Sequence, residues 1–227
     1  MCGGRGTRLD APVEKPLVDI CGRPMLDRVA AALRDSPVET VRAVTSPHTP
    51  NTRERAADLG LDPIEAPGDG YVSDLGFALD RVTRPVVTVV ADLPLVAPEH
   101  VDAVVSAADG GAATACVPVE LKRDLGASVD DALVFDHEGT AVCPTGLGVV
   151  GPATADSTAD TDAETTAGTD SDTGSGTDTD TDSGTDTDTD SGTDTDTYPT
   201  MYLSTDTRLA LNVNRPTDIA LAEDRCE

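Results

Sequence analysis

The chain has 227 residues, enough for one sizeable domain with an appended segment. A formal net charge of -26 repels nucleic-acid phosphates and anionic lipid, which excludes both as expected partners. Only Lys15 and Lys122 are lysines, aromatics make up 2%, and no run is apolar enough for a membrane span or leader, so the expectation is a cytoplasmic, salt-adapted protein.

The chain opens MCGGRGTRLD, with Gly3, Gly4 and Gly6 beside Arg5 and Arg8. A loop of this kind normally leaves a strand and aims its amides at a phosphate. It lacks the G-K-[ST] of a Walker loop, and Leu9 stands where a dinucleotide fingerprint has its third glycine. Met1 falls where the supporting strand should end. The first strand is therefore expected to be missing or truncated, with the working protein beginning a few residues upstream.

Past the loop come Lys15, a short apolar segment and a Gly22-Arg23-Pro24 turn. Met25, Leu26, Val29, Ala30 and Leu33 have helical spacing over 24–34. A strand over 38–46 and helices over 52–59 and 74–82 follow. The apolar run 86–91 reads as a strand buried on both faces. A helix over 98–108 and strands over 112–120 and 142–150 come next. The chain closes with a helix over 216–223, Pro216 in its first turn. Strands alternating with helices predict an α/β fold whose sheet is mainly parallel, with ligands at the carboxyl ends of its strands.

Residues 153–197 are nearly all Thr, Asp, Ser and Gly. With almost nothing to bury, this segment is expected to be a disordered acidic insertion in a single domain formed by 1–152 and 198–227. It is no EF-hand: Asp178, Asp180 and Asp182 are followed by Ser183 and Gly184, and no Glu closes the loop. The five cysteines form no C-x-x-C pair and are odd in number, which predicts reduced, mostly buried thiols.

Three stretches carry chemistry. Lys15 follows the glycine loop closely. Asp92 ends the strand expected to be the most buried, where it reads either as a turn-initiating residue or as a carboxylate holding Mg2+ against phosphate oxygens. Asn212 and Asn214 alternate, one able to cap the last helix and the other to reach the metal. His48, His100 and His137 form no convincing catalytic arrangement.

The succession GGRGTR, EKPL, GRPM, ADLPLV and NVNRPTDIALAE resembles the nucleotidyltransferase superfamily. That resemblance implies a Rossmann-like three-layer α/β/α sandwich of the nucleotide-diphospho-sugar transferase type. VEKPLVDICGRPMLD, AVTSPHTPNTRERA and GDGYVSDLGFAL narrow it towards the archaeal GTP:adenosylcobinamide-phosphate guanylyltransferases. The implied partners are GTP and adenosylcobinamide phosphate, and the implied cofactor is Mg2+. Gly3, Gly4, Arg5, Gly6 and Thr7 would cradle the GTP phosphates. Arg8 and Lys15 would neutralise their charge. Asp92 would hold Mg2+, with Asn214 as second contact. Thr45 and Ser46 end a strand and either line the crevice or are ordinary strand-end hydroxyls. Gly70 belongs to the turn that reads the base. Asp69 or Asp74 would accept from guanine or serve as turn and cap residues, and Tyr71 would stack on a ring or pack.

CPTGLGVV resembles a stretch near the acceptor site, but Gly148 replaces the Asn usual there, which weakens any specific contact. A molybdopterin or phospholactate guanylyltransferase would share the loop and Asp92. A nucleotide-binding regulatory protein would not need Arg8, Lys15 and Asp92 together, and a secreted calcium binder would need an export signal. A homodimer is compatible with these features.

Overall fold

The computed structural model describes residues 1–4, 6–152 and 199–226. The insertion expected over 153–197, and Arg5 of the glycine loop, lie outside the described residues.

A single 3-10 turn at Lys15–Leu17 leads into a minimal hairpin, β1 (Asp19–Ile20) and β2 (Arg23–Pro24). Helix α1 (Met25–Arg34) follows, then β3 (Arg42–Thr45), α2 (Pro50–Asp58), β4 (Asp62–Glu65) and α3 (Tyr71–Leu79). Next come β5 (Val86–Val89), α4 (Pro98–Ala108), β6 (Ala113–Pro118) and α5 (Val119–Leu125). The remaining elements are β7 (Phe135–His137), β8 (Thr140–Val150), β9 (Thr200–Leu203) and α6 (Pro216–Glu223). The fold is α/β, as the alternation predicted.

The sheet is mixed. β3 pairs with β4 in parallel, and β6 with β9 in parallel. β8 runs antiparallel between β5 and β6 and also carries β7. β9 lies beyond residues 153–197 in the sequence, yet it pairs with β6 ahead of them.

Met1 and Cys2 join the two halves of the sheet. The Cys2 amide donates to Val44 O at 2.7 Å, the Met1 amine donates to Val89 O at 2.7 Å, and the Ala91 amide donates to Met1 O at 3.1 Å. The place expected for a first strand, between β3 and β5, is thus held by these two residues. Their side chains leave on opposite faces, as extended backbone requires. Cys2 packs with Leu26 and Ala30 of α1 and Ala56 of α2, while Met1 packs with Val44, Ile64 and Ala78 of α3. Helices therefore cover both faces of the sheet.

The largest cluster joins Val29 and Leu33 of α1, Val101 and Val104 of α4, and Val117 and Leu147 of the sheet. Each such side chain contributes roughly 1.5–3 kcal/mol by leaving water.

The expectation of five reduced thiols is corrected. Cys21, in the β1–β2 turn, and Cys226, just past α6, form a disulfide with Cα atoms 6.5 Å apart. α6 packs against β1 and brings together residues 205 positions apart, which no sequence spacing reveals. Cys2, Cys116 and Cys143 are free and buried, as expected.

Candidate functional site

The carboxyl ends of β3 and β5 and the loop after Cys2 enclose a cleft of about 460 Å³. Gly3, Gly4, Gly6, Thr7 and Arg8 form one side, and Lys15, Asp92 and Asn214 lie against it. His48, Gly68, Gly70, Tyr71 and Asp74 complete the lining.

Lys15 is the junction. Its Nζ donates to Asp92 Oδ2 at 2.5 Å and to Asn214 Oδ1 at 2.7 Å. Gly6 makes that approach feasible. Its φ of +62° suits glycine, and a Cβ there would lie 2.8 Å from Lys15 Cβ. Glu14, one residue before Lys15, accepts from the amides of Asn51 and Thr52 at 2.9 and 2.7 Å and from Asn51 Nδ2 at 2.9 Å. It caps α2 from outside the helix and fixes where Lys15 enters. Burial opposes ionisation of Glu14, but these hydrogen bonds outweigh it and hold its pKa below the usual glutamate value.

Asp92 is also held on its far side. Asn212 Nδ2 donates to Asp92 Oδ1 at 3.2 Å and to Thr145 O at 2.9 Å. Buried Lys122 donates to Asn212 Oδ1 at 3.1 Å and to Ala210 O at 2.9 Å. Burial lowers the Lys122 pKa, while the Cys143 thiol and the carboxylates of Asp218 and Asp92 oppose that shift. Asp218, fully buried, accepts from the amides of Asn214 and Arg215 at 2.9 and 2.8 Å, and from Ser128 N and Oγ at 2.9 and 2.6 Å.

Across this geometry, residues 1–171 match the model of the MobA-like NTP transferase domain. The chain belongs to that family. It is 38% identical to the adenosylcobinamide-phosphate guanylyltransferase of Methanocaldococcus jannaschii over 98 residues, 41% of this chain and 50% of that protein. It is 30% identical to the bifunctional protein GlmU of Maricaulis maris over 125 residues, 53% of this chain and 27% of that protein. The chain thus spans half the length of the first relative and about a quarter of the second. A solved CMP:2-keto-3-deoxy-manno-octonic acid synthetase in complex with CTP aligns at TM-score 0.48 and 16% identity, covering 63% of this chain and 69% of that one.

Within this MobA-like NTP transferase domain, the structure gathers Gly3, Gly4, Gly6, Thr7, Arg8, Lys15, Asp92 and Asn214 about one cleft. Arg8 is 71% exposed and reaches out to Asp130 Oδ2 at 2.8 Å, not to Lys15 or Asp92. Neither asparagine caps α6. Asp218 accepts from the amides at the start of that helix, and both asparagines serve the Lys15–Asp92 pair.

Thr45 and Ser46 do not line the cleft. Thr45 is fully buried, and Ser46 Oγ donates to Gly3 O at 2.7 Å while accepting from the His48 amide at 3.2 Å. Ser46 thereby braces the glycine loop from beneath. Asp74 is buried, its Oδ1 taken by the Gly68 amide at 2.8 Å, so it shapes the Gly68–Gly70 turn. Asp69 is exposed and outside the cleft lining. Tyr71 is half-exposed at the cleft edge; partial burial, then the nearby Asp92 charge, raise its phenol pKa.

Gly148 faces Thr88 on β5 and Thr114 on β6. A Cβ there would lie 2.8 Å from Ala113 O, so the position serves strand packing.

His48 and Lys122 gained no functional assignment from sequence, and Asn212 was read only as a helix cap or a metal contact. His48 lies over Gly68, where a Cβ on the glycine would meet His48 Cδ2 at 3.0 Å. The signal for Lys122 was its rarity, shared only with Lys15.

Among the described residues no three His, Cys, Asp or Glu side chains cluster as a metal cage. Asp92 Oδ2 and Asn214 Oδ1 nevertheless converge on one cationic atom, Lys15 Nζ. One carboxylate and one amide oxygen suit a hard cation that arrives on a nucleotide phosphate, since Mg2+ needs few protein ligands in such sites. No helix among the described residues is long and apolar enough to cross a membrane.

Proposed function

We propose that this chain transfers GMP from GTP to adenosylcobinamide phosphate, releasing pyrophosphate and forming adenosylcobinamide-GDP. The observation that carries the transferase reading is the convergence of Lys15, Asp92 and Asn214 beside the glycine loop. The acceptor rests on the 38% identity with the Methanocaldococcus jannaschii enzyme of that name.

A phosphate oxygen of the acceptor attacks the α-phosphorus of GTP. A new P–O bond forms, and the bond to the β-phosphate bridging oxygen breaks. The nucleophile is already ionised at neutral pH, so the step needs no general base. Positioning and charge neutralisation supply the catalysis. The glycine loop presents backbone amides to the phosphates. Lys15 neutralises charge on the departing pyrophosphate. Asp92 and the Asn214 amide oxygen would hold Mg2+, which supplies charge stabilisation when bound. His48, Gly68, Gly70 and Tyr71, which line the same cleft, would take the base.

Direct assay with GTP, Mg2+ and one phosphorylated acceptor at a time tests the reading. Adenosylcobinamide phosphate should give pyrophosphate and a GDP-linked product. Product with molybdopterin or phospholactate instead would keep the reaction and replace the acceptor. No product with any acceptor would remove the proposal.

A further inference from the structure

We infer that Lys122 is a positioning residue for Asp92, acting through the side-chain amide of Asn212. The inference rests on the proposed transfer reaction, which gives Asp92 its work.

Asp92 presents two oxygens, and each has its own donor. Lys15 takes Oδ2 from the cleft side, and Asn212 Nδ2 takes Oδ1 from the core side. The carboxylate plane is therefore set by two separate arms. Lys15 sits at the cleft, where phosphates would compete for its charge. Asn212 is 9% exposed and has no such competitor, so it is the arm that persists while substrate comes and goes.

An amide holds a carboxylate only if its NH2 faces it. Three contacts fix that orientation. Thr145 O and Asp92 accept from Nδ2, and Lys122, a donor with no acceptor capacity, requires an oxygen opposite it. Lys122 also holds Ala210 O, so it anchors both the amide and the backbone two residues before it. Without Lys122, Asn212 Oδ1 is left buried and unpaired. Side chain and segment then gain freedom to swing, and Asp92 loses its fixed core-side donor.

The residue type points the same way. Only two of the sixteen basic residues are lysines, and both belong to the hydrogen-bonded chain through Asp92. Elsewhere this sequence uses arginine. Lys122 is 4% exposed, and a compact ammonium fits where a planar guanidinium fork does not. Burial of a charge costs stability unless paired, and the partners here are one carbonyl and one amide oxygen. A site serving stability alone would be filled as well by an apolar side chain.

The test uses the full chain and three variants: Lys122→Met, Asn212→Leu and the double variant. In Lys122→Met we expect kcat to fall about tenfold with KM for GTP changed less than about twofold, because GTP binding does not use this arm. Asn212→Leu should cost at least as much, and the double variant no more than Asn212→Leu alone, as expected when one residue acts through the other. A readout independent of turnover is the Asn212 side-chain amide pair in a 1H–15N spectrum, assigned by its loss in Asn212→Leu. Native protein should show it protected from solvent exchange, and Lys122→Met should expose it. Should Lys122→Met not fold, Lys122→Gln keeps a neutral donor and should retain the protected signal and most of kcat.

Unchanged kcat in a folded Lys122→Met with a lowered Tm would overturn the inference and leave Lys122 a structural residue. Multiplying effects in the double variant would overturn it as well. If native protein shows no transfer, the reaction assignment fails instead, and the amide signal alone then decides whether Lys122 orients Asn212.

Discussion

Lys15 Nζ lies 2.5 Å from Asp92 Oδ2, joining a residue that follows the glycine loop to one at the carboxyl end of a central strand 77 positions later. The pair is mostly buried, with side chains 17% and 20% exposed. Each partner therefore holds the other in place before nucleotide arrives. A bound cation beside Asp92 would repel the ammonium, and phosphate would attract it.

Replacing Asp92 by Asn keeps the shape and removes the charge. We expect kcat to fall by about 100-fold or more, in line with removal of one electrostatic contributor to a transition state. Circular dichroism should match the native chain. Turnover within a few-fold of native would take Asp92 out of the mechanism.

Gly6→Ala should act on Lys15. The added methyl meets Lys15 Cβ at 2.8 Å, and alanine resists the φ of +62°. We expect about 1 kcal/mol or more of lost stability and weaker GTP binding, read by thermal melts with and without GTP. Native affinity in the variant would show that the loop does not position Lys15.

Ser46→Ala removes the hydroxyl that bridges Gly3 O and the His48 amide. The loop loses one brace of about 1 kcal/mol, so KM for GTP should rise several-fold with kcat little changed. A fall in kcat at constant KM would instead make Ser46 a participant in the chemical step.

Glu14 predicts a pH effect. Its folded pKa is depressed, because the hydrogen bonds it accepts from Asn51 and Thr52 outweigh the burial that opposes them. Such a group contributes stability above its unfolded pKa, and that contribution is lost as pH falls through the folded value. Glu14→Gln should lower the Tm at neutral pH and flatten its acid limb. An acid limb identical to that of the native chain would assign the limb to other carboxylates.

Much of this was legible in the sequence. The spacing of Met25, Leu26, Val29, Ala30 and Leu33 foretold α1 to within one residue, because an apolar stripe has only one helical reading. The run at Val86 announced a strand, and its end placed Asp92, but only Val89 of β5 is fully buried, so the expected burial on both faces is not met. β4 escaped notice because its sequence, DPIE, buries only Ile64 and holds Pro63; parallel pairing with β3, not its own pattern, makes it a strand. α5 was hidden inside an apparent strand, since Pro118 ends β6 and opens the helix within one apolar stretch. The braces of the site were unreadable for a different reason. Ser46, Asp218 and Lys122 act across 43, 90 and 90 residues, and no local pattern records such contacts.

The measurement that bears most directly on the central claim is pyrophosphate release from GTP, Mg2+ and adenosylcobinamide phosphate, run side by side with native chain and Asp92→Asn. The account predicts release by the native chain, with Asp92→Asn slower by about 100-fold or more although folded. Equal release by both, or none from the native chain with any phosphorylated acceptor, would contradict it.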